Sequence, residues 1–472
     1  MADDSFDVVI LGGGNAGYAA AFRASGLGMS VAMVTNDKVG GTCLHRGCIP
    51  TKALLHAADL MDEIRNASEF GLSVAEPEYD WSKVLAFKDS VVDRMYQGLS
   101  GLVKKNKVEL VQGTGRITDE RTVVVDTSEG DRTLTADEGL VIASGSYARE
   151  LPFIKADGDR VYNSSHGLTA EDVPESIIVV GGNYIGLEFA SVYRSFGADV
   201  QVVEMLDKIA PNEDSDVSKT LTKLLEERGI KFHVGVEVTG ASSSDSGVEV
   251  ELKKAEGSET LSAERLMVAV GRGPRTEDIG LEDAGIKSER GFIVTDQLFQ
   301  TSVGGVFAIG DAIHIPDANW PHPQLAHVAF LEGTKVAEHI AGEDVLPVDY
   351  KNIPHVIYCQ PEVASVGLTE DKAKELGMDV VTKRYMFTHN ARALMLGGGE
   401  GFVKTVAEKD GAVVGVHIVG PRASDMITEA QLVTSWEAYP SELAELTHAH
   451  PTLSEVIGET FLGLAGKPLH GS

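Results

Sequence analysis

Val8-Val9-Ile10-Leu11-Gly12-Gly13-Gly14-Asn15-Ala16-Gly17 sets an apolar, β-branched run against a cluster of glycines, and Ile178-Val179-Val180-Gly181-Gly182-Asn183-Tyr184-Ile185-Gly186 repeats the pattern. Each reads as a buried strand, a glycine turn and the start of a helix rich in Ala, Leu and Phe. Each is followed by a second strand, Ser30–Val34 and Asp199–Val203, ending at the same distance from its first glycine. Two βαβ nucleotide-binding units of the doubly wound kind follow from this echo. A lone glycine fingerprint is weak; two in matched frames are strong. The fold class is α/β, with two Rossmann-like dinucleotide-binding domains.

At 472 residues the chain is long enough for three or four domains. Its 43% hydrophobic and 24% charged content is that of an ordinary soluble globular protein. No apolar run reaches the roughly 20 residues of a membrane span. The acidic start Met1-Ala2-Asp3-Asp4-Ser5 lacks the basic and apolar regions of a signal peptide, so a cytoplasmic location is expected. A net charge of −30 argues against nucleic acid or anionic membrane as a partner, and suits solubility, salt adaptation or a basic protein partner. Three cysteines, Cys43, Cys48 and Cys359, are too few for a secreted disulfide scaffold.

Further strands are expected at Leu266–Val270 and Val306–Ile309, the second closed by Asp311, with a turn among alternating strands over residues 240–263. After about residue 345 the pattern changes to mixed strands and helices, punctuated by Pro354 and Pro361, and reads as a separate α+β domain. Within it, Gly397-Gly398-Gly399-Glu400-Gly401 reads as a flexible hairpin connection.

In the first unit Gly12, Gly14 and Gly17 let a pyrophosphate rest on the helix beginning near Asn15. The acid that would bind the adenosine ribose is replaced by Thr35, and both Thr35 and the nearby Asp37 stay open as ribose ligands. In the second unit Gly181 and Gly186 stand, and Asn183, a residue tolerant of positive φ, takes the middle place. Glu204 supplies the ribose acid, which bonds a 2′-hydroxyl and repels a 2′-phosphate, favouring NAD over NADP.

Cys43 and Cys48 lie in Gly40-Gly41-Thr42-Cys43-Leu44-His45-Arg46-Gly47-Cys48-Ile49-Pro50-Thr51-Lys52. Three readings compete. A structural disulfide fits poorly with reducing cytosol, and zinc would need a second Cys or His pair at ligand spacing, so no metal site is expected. A redox pair is favoured, because a helix N-terminus beside cationic groups lowers a thiol pKa. Cys359 reads as a small buried apolar residue. A base for dithiol chemistry is offered by His448-Ala449-His450-Pro451-Thr452-Leu453-Ser454-Glu455, with Glu455 placed to orient the His450 imidazole.

GGTCLHRGCIPTK, FAIGD (residues 307–311) and HAHPTLSE, in that order and with two dinucleotide turns, resemble the flavoprotein disulfide reductases over essentially the whole chain. Within that family the chain is most similar to the branch that oxidises dihydrolipoamide. The resemblance implies an FAD-binding domain over 1–150, an NAD-binding domain over 151–275, a central domain over 276–345 completing the FAD site, and a dimerisation domain over 346–472. FAD would be held by Gly12, Gly14, Gly17, Thr42, Lys52 and Gly115, with Ser144, Gly145 and Ser146 nearby, Ser144 standing where the family usually has Thr. Asp311 would bond the ribityl chain, and Leu325, Ala326 and His327 would lie beside the flavin. NAD would use Gly181, Gly186, Glu204 and Gly271, while Lys52 would pair with Glu188 and tune the flavin.

The implied reaction is ping-pong. Dihydrolipoamide meets the Cys43–Cys48 disulfide at Cys43, Cys48 faces the flavin, and the partner subunit's His450 takes the proton. An obligate homodimer follows, with lipoyl domains of an E2 acyltransferase, or the glycine-cleavage H protein, as partners. The nearest alternative is an NAD(P)H-dependent reductase of a small disulfide such as glutathione or mycothione. The tail Leu469-His470-Gly471-Ser472 carries no thiol, which disfavours the mercuric and large thioredoxin reductases. A nucleotide-binding protein without catalysis is disfavoured by the intact Cys43, Cys48, Lys52, His450 and Glu455.

Overall fold

The computed structural model describes residues 4–255 and 257–470. Contacts divide the chain into two units, Met1–Pro50 with Ala86–Arg149 and Gly271–Tyr350, and Thr51–Leu85 with Glu150–Val270 and Lys351–Ser472. Both are α/β, and no helix among the described residues is long and apolar enough to cross a membrane.

The first unit is built on Asp4–Leu11, whose last four residues are buried on both faces as befits a central parallel strand. It lies between Val31–Thr35 and Gly130–Ile142, parallel to both. Glu109–Gln112 extends one edge in parallel, and Val306–Ala308 pairs in parallel with the end of Gly130–Ile142. The hairpin strands Thr114–Asp119 and Thr122–Thr127 extend the sheet antiparallel. Helix Asn15–Gly26 packs along Ala326–Ile340. The approach is close enough that a Cβ on Gly333 would stand 2.5 Å from Ala16 O.

In the second unit, Ser176–Val180 occupies the equivalent central place between Asp199–Glu204 and Arg265–Val268, with Lys231–Val234 and Val161–Tyr162 at the edges, all parallel. Glu237–Ser244, Gly247–Lys253 and Ser258–Ala263 form an antiparallel meander beside it. The C-terminal region is an antiparallel sheet ordered His355–Ile357, Glu362–Gly367, Val413–Gly420, Phe402–Glu408, Val380–Met386. Helices Ala423–Ser435 and Glu455–Leu464 pack on it around a core that includes Phe387, Ile418 and Phe461.

One expectation is corrected here. Residues 397–401 do not close a hairpin directly; they join the short helix Ala391–Met395 to strand Phe402–Glu408. That helix is capped by Asn390, whose Oδ1 accepts the Ala393 amide at 2.9 Å, a local start signal outside the glycine run.

Candidate active site: two nucleotide turns and a cysteine pair

The two glycine turns are the same object built twice. Gly12 (φ +127°) and Gly181 (φ +117°) each donate their amide to a carbonyl of the second strand that follows, Val34 O and Val203 O, at 2.8 Å. A Cβ on Gly12 would fall 2.1 Å from Ala143 O, and one on Gly181 2.3 Å from Ala269 O. A Cβ on Gly17 or Gly186 would fall 1.9 or 1.8 Å from the oxygen of Gly12 or Gly181. These four glycines are therefore demanded by backbone approach. Gly14 differs, since its Cβ would meet nothing nearer than Gly41 Cα at 4.0 Å. Its counterpart Asn183 has φ −115°, so the expectation that Asn is there for positive φ is corrected: the position is extended backbone open to any residue.

Polar groups at both turns fit a dinucleotide. Asn15 Nδ2 and Ser144 Oγ at the first, and Asn183 Oδ1 at the second, are buried without a hydrogen-bond partner among the described residues. Thr35 lies against the first turn, its Cβ 3.0 Å from the Cβ that Gly13 would carry, and Glu204 occupies the same place beside Gly182. Glu204 is 9% exposed and accepts the amides of Gly182 (2.7 Å) and Leu206 (2.9 Å), one on each oxygen. Asp37 is engaged by Arg46 and the Lys38 amide; burial would raise its carboxyl, but those partners hold it below the usual range.

The cysteine segment is seated directly on the first turn. Gly40 donates to Gly13 O at 2.8 Å, and a Cβ on Gly41 would stand 2.7 Å from Gly14 Cα. Helix Gly41–Arg46 carries Thr42 and Cys43, and a second helix, Cys48–Arg65, begins on the other cysteine. The break falls at Gly47, where the backbone leaves helical geometry (φ −147°, ψ −112°). Both cysteines are half-buried, whereas Cys359 is fully buried and its thiol is pushed up by burial. Burial first, and then Cys43 and Cys48, push the Tyr18 hydroxyl upward.

Asp311 sits in the turn Gly310–Ala312 after strand Val306–Ala308. Its carboxylate accepts the Ser146 hydroxyl, and Arg272 donates to Ser146 Oγ at 2.7 Å, so the three groups brace one another. Leu325 caps helix Ala326–Ile340, which carries His327 in its first turn. Gly145 and Gly271 have positive φ with open space around their Cβ positions, whereas a Cβ on Gly115 would strike Leu11 Cδ1 at 2.6 Å. Arg272 was not singled out from the sequence, although its place between Gly271 and Gly273 was visible. A buried carboxylate, Glu332, was also missed: it accepts Gly310 N, Tyr350 Oη and His322 Nε2 at 2.6–2.8 Å.

Lys52, one turn into the helix that begins at Cys48, places Nζ 2.7 Å from both oxygens of Glu188 and 4.7 Å from the Tyr358 ring centroid. Glu188 is 4% exposed and also accepts the Tyr358 amide at 3.1 Å. His450 presents a largely exposed ring whose Nδ1 is 2.8 Å from Glu455 Oε1. Glu455 Oε2 accepts the Thr452 amide at 2.7 Å. Burial would raise Glu455, but that amide and His450 hold its carboxyl below the usual range. With Nδ1–H spent on Glu455, Nε2 is the nitrogen left to accept a proton.

A family profile for pyridine nucleotide-disulphide oxidoreductases matches residues 6–333, and a profile for the dimerisation domain of the same proteins matches residues 353–461. The dihydrolipoyl dehydrogenase of Bacillus subtilis is 41% identical, covering 98% of this chain and 99% of that protein. That of Zymomonas mobilis is 39% identical over 99% of each. Among solved structures, LpdA from Mycobacterium tuberculosis superposes with a TM-score of 0.89 at 26% identity, over 98% of this chain and 99% of that one.

Proposed function

Because the chain belongs to the pyridine nucleotide-disulphide oxidoreductase family, we propose that it oxidises a protein-bound dihydrolipoyl group to the cyclic disulfide and reduces NAD to NADH. The observation that carries this reading is the seating of the Cys43–Cys48 segment on the backbone of a dinucleotide turn. FAD and NAD together supply two-electron transfer from a dithiol to a nicotinamide. Gly12, Gly14, Gly17, Thr42, Gly115, the Ser144–Ser146 segment, Asp311 and the Leu325–His327 segment would hold FAD, with Lys52 beside it. Gly181, Gly186, Glu204 and Gly271 would hold NAD.

In the dithiol half-reaction a dihydrolipoyl thiolate attacks Cys43 Sγ of the Cys43–Cys48 disulfide. A mixed disulfide forms and Cys48 leaves as thiolate. The partner subunit's His450 takes the proton of the second dihydrolipoyl thiol through Nε2, and the resulting thiolate closes the lipoyl disulfide, expelling Cys43. Two electrons pass from the substrate sulfurs to the protein pair, and one S–S bond is formed for each broken. Glu455 holds the imidazole in the tautomer this needs. Glu188 neutralises Lys52 and fixes its ammonium on the helix that carries Cys48.

Glu204 supports NAD over NADP, since a carboxylate held at the end of the second strand bonds a 2′-hydroxyl and repels a 2′-phosphate. The dimerisation-domain match supports a homodimer, and the fitting partners are the lipoyl domains of E2 acyltransferases or of the glycine-cleavage H protein. We place the reaction in the cytoplasm, where one cysteine pair serves as a redox couple rather than a crosslink. Steady-state rates with dihydrolipoamide plus NAD, compared with glutathione disulfide plus NADPH, test the reading; faster turnover of the second pair refutes both the substrate and the cofactor assignment.

A further inference from the structure

Among the buried ionisable groups the dithiol reaction leaves unused, one set meets at the second nucleotide turn. Tyr184 is the first residue of helix Tyr184–Ser195, directly after Asn183. Its hydroxyl lies 3.2 Å from Glu213 Oε1 and 2.8 Å from His355 Nδ1. Glu213 is 3% exposed, and among the described residues its buried Oε2 has no partner at full hydrogen-bond geometry, with the Ser365 side chain facing the carboxyl. The segment carrying Glu213 grips the turn at a second point, where the Ala210 amide donates to Gly182 O at 2.7 Å.

A bare carboxylate oxygen in such a place is costly, whereas an uncharged carboxylic acid is far less so. As an acid, Glu213 can donate to the Tyr184 oxygen while Tyr184 donates to His355 Nδ1. All three groups are then bonded and neutral. Burial favours this state on both sides, pushing the Glu213 carboxyl up and the His355 imidazole down. The other groups facing Glu213 are Lys208 on its own segment, and Ser365 and His417 from the C-terminal sheet. The adjacent Asp214 is paired with Lys404 at 3.0 Å. His355 is faced by Tyr184.

We propose that Glu213 and His355 are positioning residues for nucleotide binding: by sharing one proton through Tyr184 they hold the Gly181–Gly186 turn in its binding shape, and loss of that proton weakens NAD binding. This rests on the reading that the turn binds NAD. Ionised Glu213 places a buried negative charge beside the site of an anionic ligand and draws Tyr184 away from His355.

The test is calorimetric titration of NAD into the oxidised FAD-loaded enzyme, in which the cysteine pair cannot titrate. The wild-type Kd should rise with pH by up to about tenfold per unit once Glu213 ionises. Glu213→Gln, an uncharged isostere of the acid, should keep the low-pH Kd throughout. Tyr184→Phe, with nearly unchanged volume, breaks the link to His355 and should bind NAD more weakly than the wild type at low pH. A wild-type Kd independent of pH, or a Glu213→Gln slope equal to the wild type's, overturns the proposal. Failure of the wild type to bind NAD at any pH overturns the NAD reading and this proposal with it.

Discussion

Glu204 is asked to do two things at once, and replacing it with Gln separates them. Each carboxylate oxygen accepts one backbone amide, Gly182 at 2.7 Å and Leu206 at 2.9 Å, in a site only 9% exposed. Glutamine keeps the shape but offers one oxygen and one NH2, so one buried amide would face a donor instead of an acceptor. Leaving a buried donor unsatisfied costs about 1–3 kcal/mol. If that cost falls on the turn as it closes on NAD, the Kd rises by about 5- to 150-fold, since about 1.4 kcal/mol is a factor of ten. The same change removes the charge that repels a 2′-phosphate, so NADP should gain relative to NAD. The assay is a pair of calorimetric titrations, NAD and NADP, on the FAD-loaded Glu204→Gln protein beside the wild type. A Glu204→Gln protein with NAD affinity within about threefold of the wild type would refute the reasoning, because a change under about 0.7 kcal/mol is too small for a lost buried hydrogen bond.

Three further outcomes are expected. Glu188→Ala removes one member of a buried ion pair; the usual loss of about 3–5 kcal/mol is reduced here to about 2 kcal/mol because Lys52 is one-third exposed, and a lowered thermal midpoint with reduced FAD retention is the readout. An unchanged midpoint would show that the Tyr358 ring alone suffices to hold Lys52. His450→Ala should fold and retain FAD while losing most dihydrolipoamide turnover, because the ring is exposed and bonded to Glu455; near-normal turnover removes it from the mechanism. Asp59 is pushed up to about 7, first by burial and then by Glu362, Asp62 and Glu63, against the pull of Arg228. Its folded-state value lies above the unfolded one, so the stability it contributes is present at low pH and is lost as pH rises through about 7. Thermal midpoints measured across that range should fall in the wild type and fall less in Asp59→Asn; equal slopes would dismiss Asp59 as the source.

The parts legible in the sequence are those written within one short segment. The glycine turns, the cysteine helix start and the His450–Glu455 pair each lie within a few consecutive residues, and local spacing is what hydrophobic and turn patterns encode. The ends of the second strands were equally readable, because a βαβ unit fixes where they fall. What could not be read were groups brought together by the tertiary fold. Arg272 reaches Ser146 across 126 positions, and His355 reaches Tyr184 across 171. Glu332 looked like one more polar residue on a helix, yet it is fully buried and holds the Gly310 amide that precedes Asp311. The misreading of Asn183 has a different origin. Tolerance of positive φ is irrelevant at the middle position, because within the two turns only Gly12 and Gly181 adopt it.

That distinction among the turn glycines bears on how such a sequence can drift. In each copy the first and last glycines are walls, closed by carbonyl oxygens about 2 Å from any added carbon. The middle one is a doorway. At Gly14 the doorway stands clear, and the peptide of Gly41 is the nearest object across it. At Asn183 a side chain already stands in it without displacing the frame. A substitution at the middle position therefore changes what can enter while leaving the architecture intact, so this is where the two copies are free to diverge in ligand while remaining alike in shape.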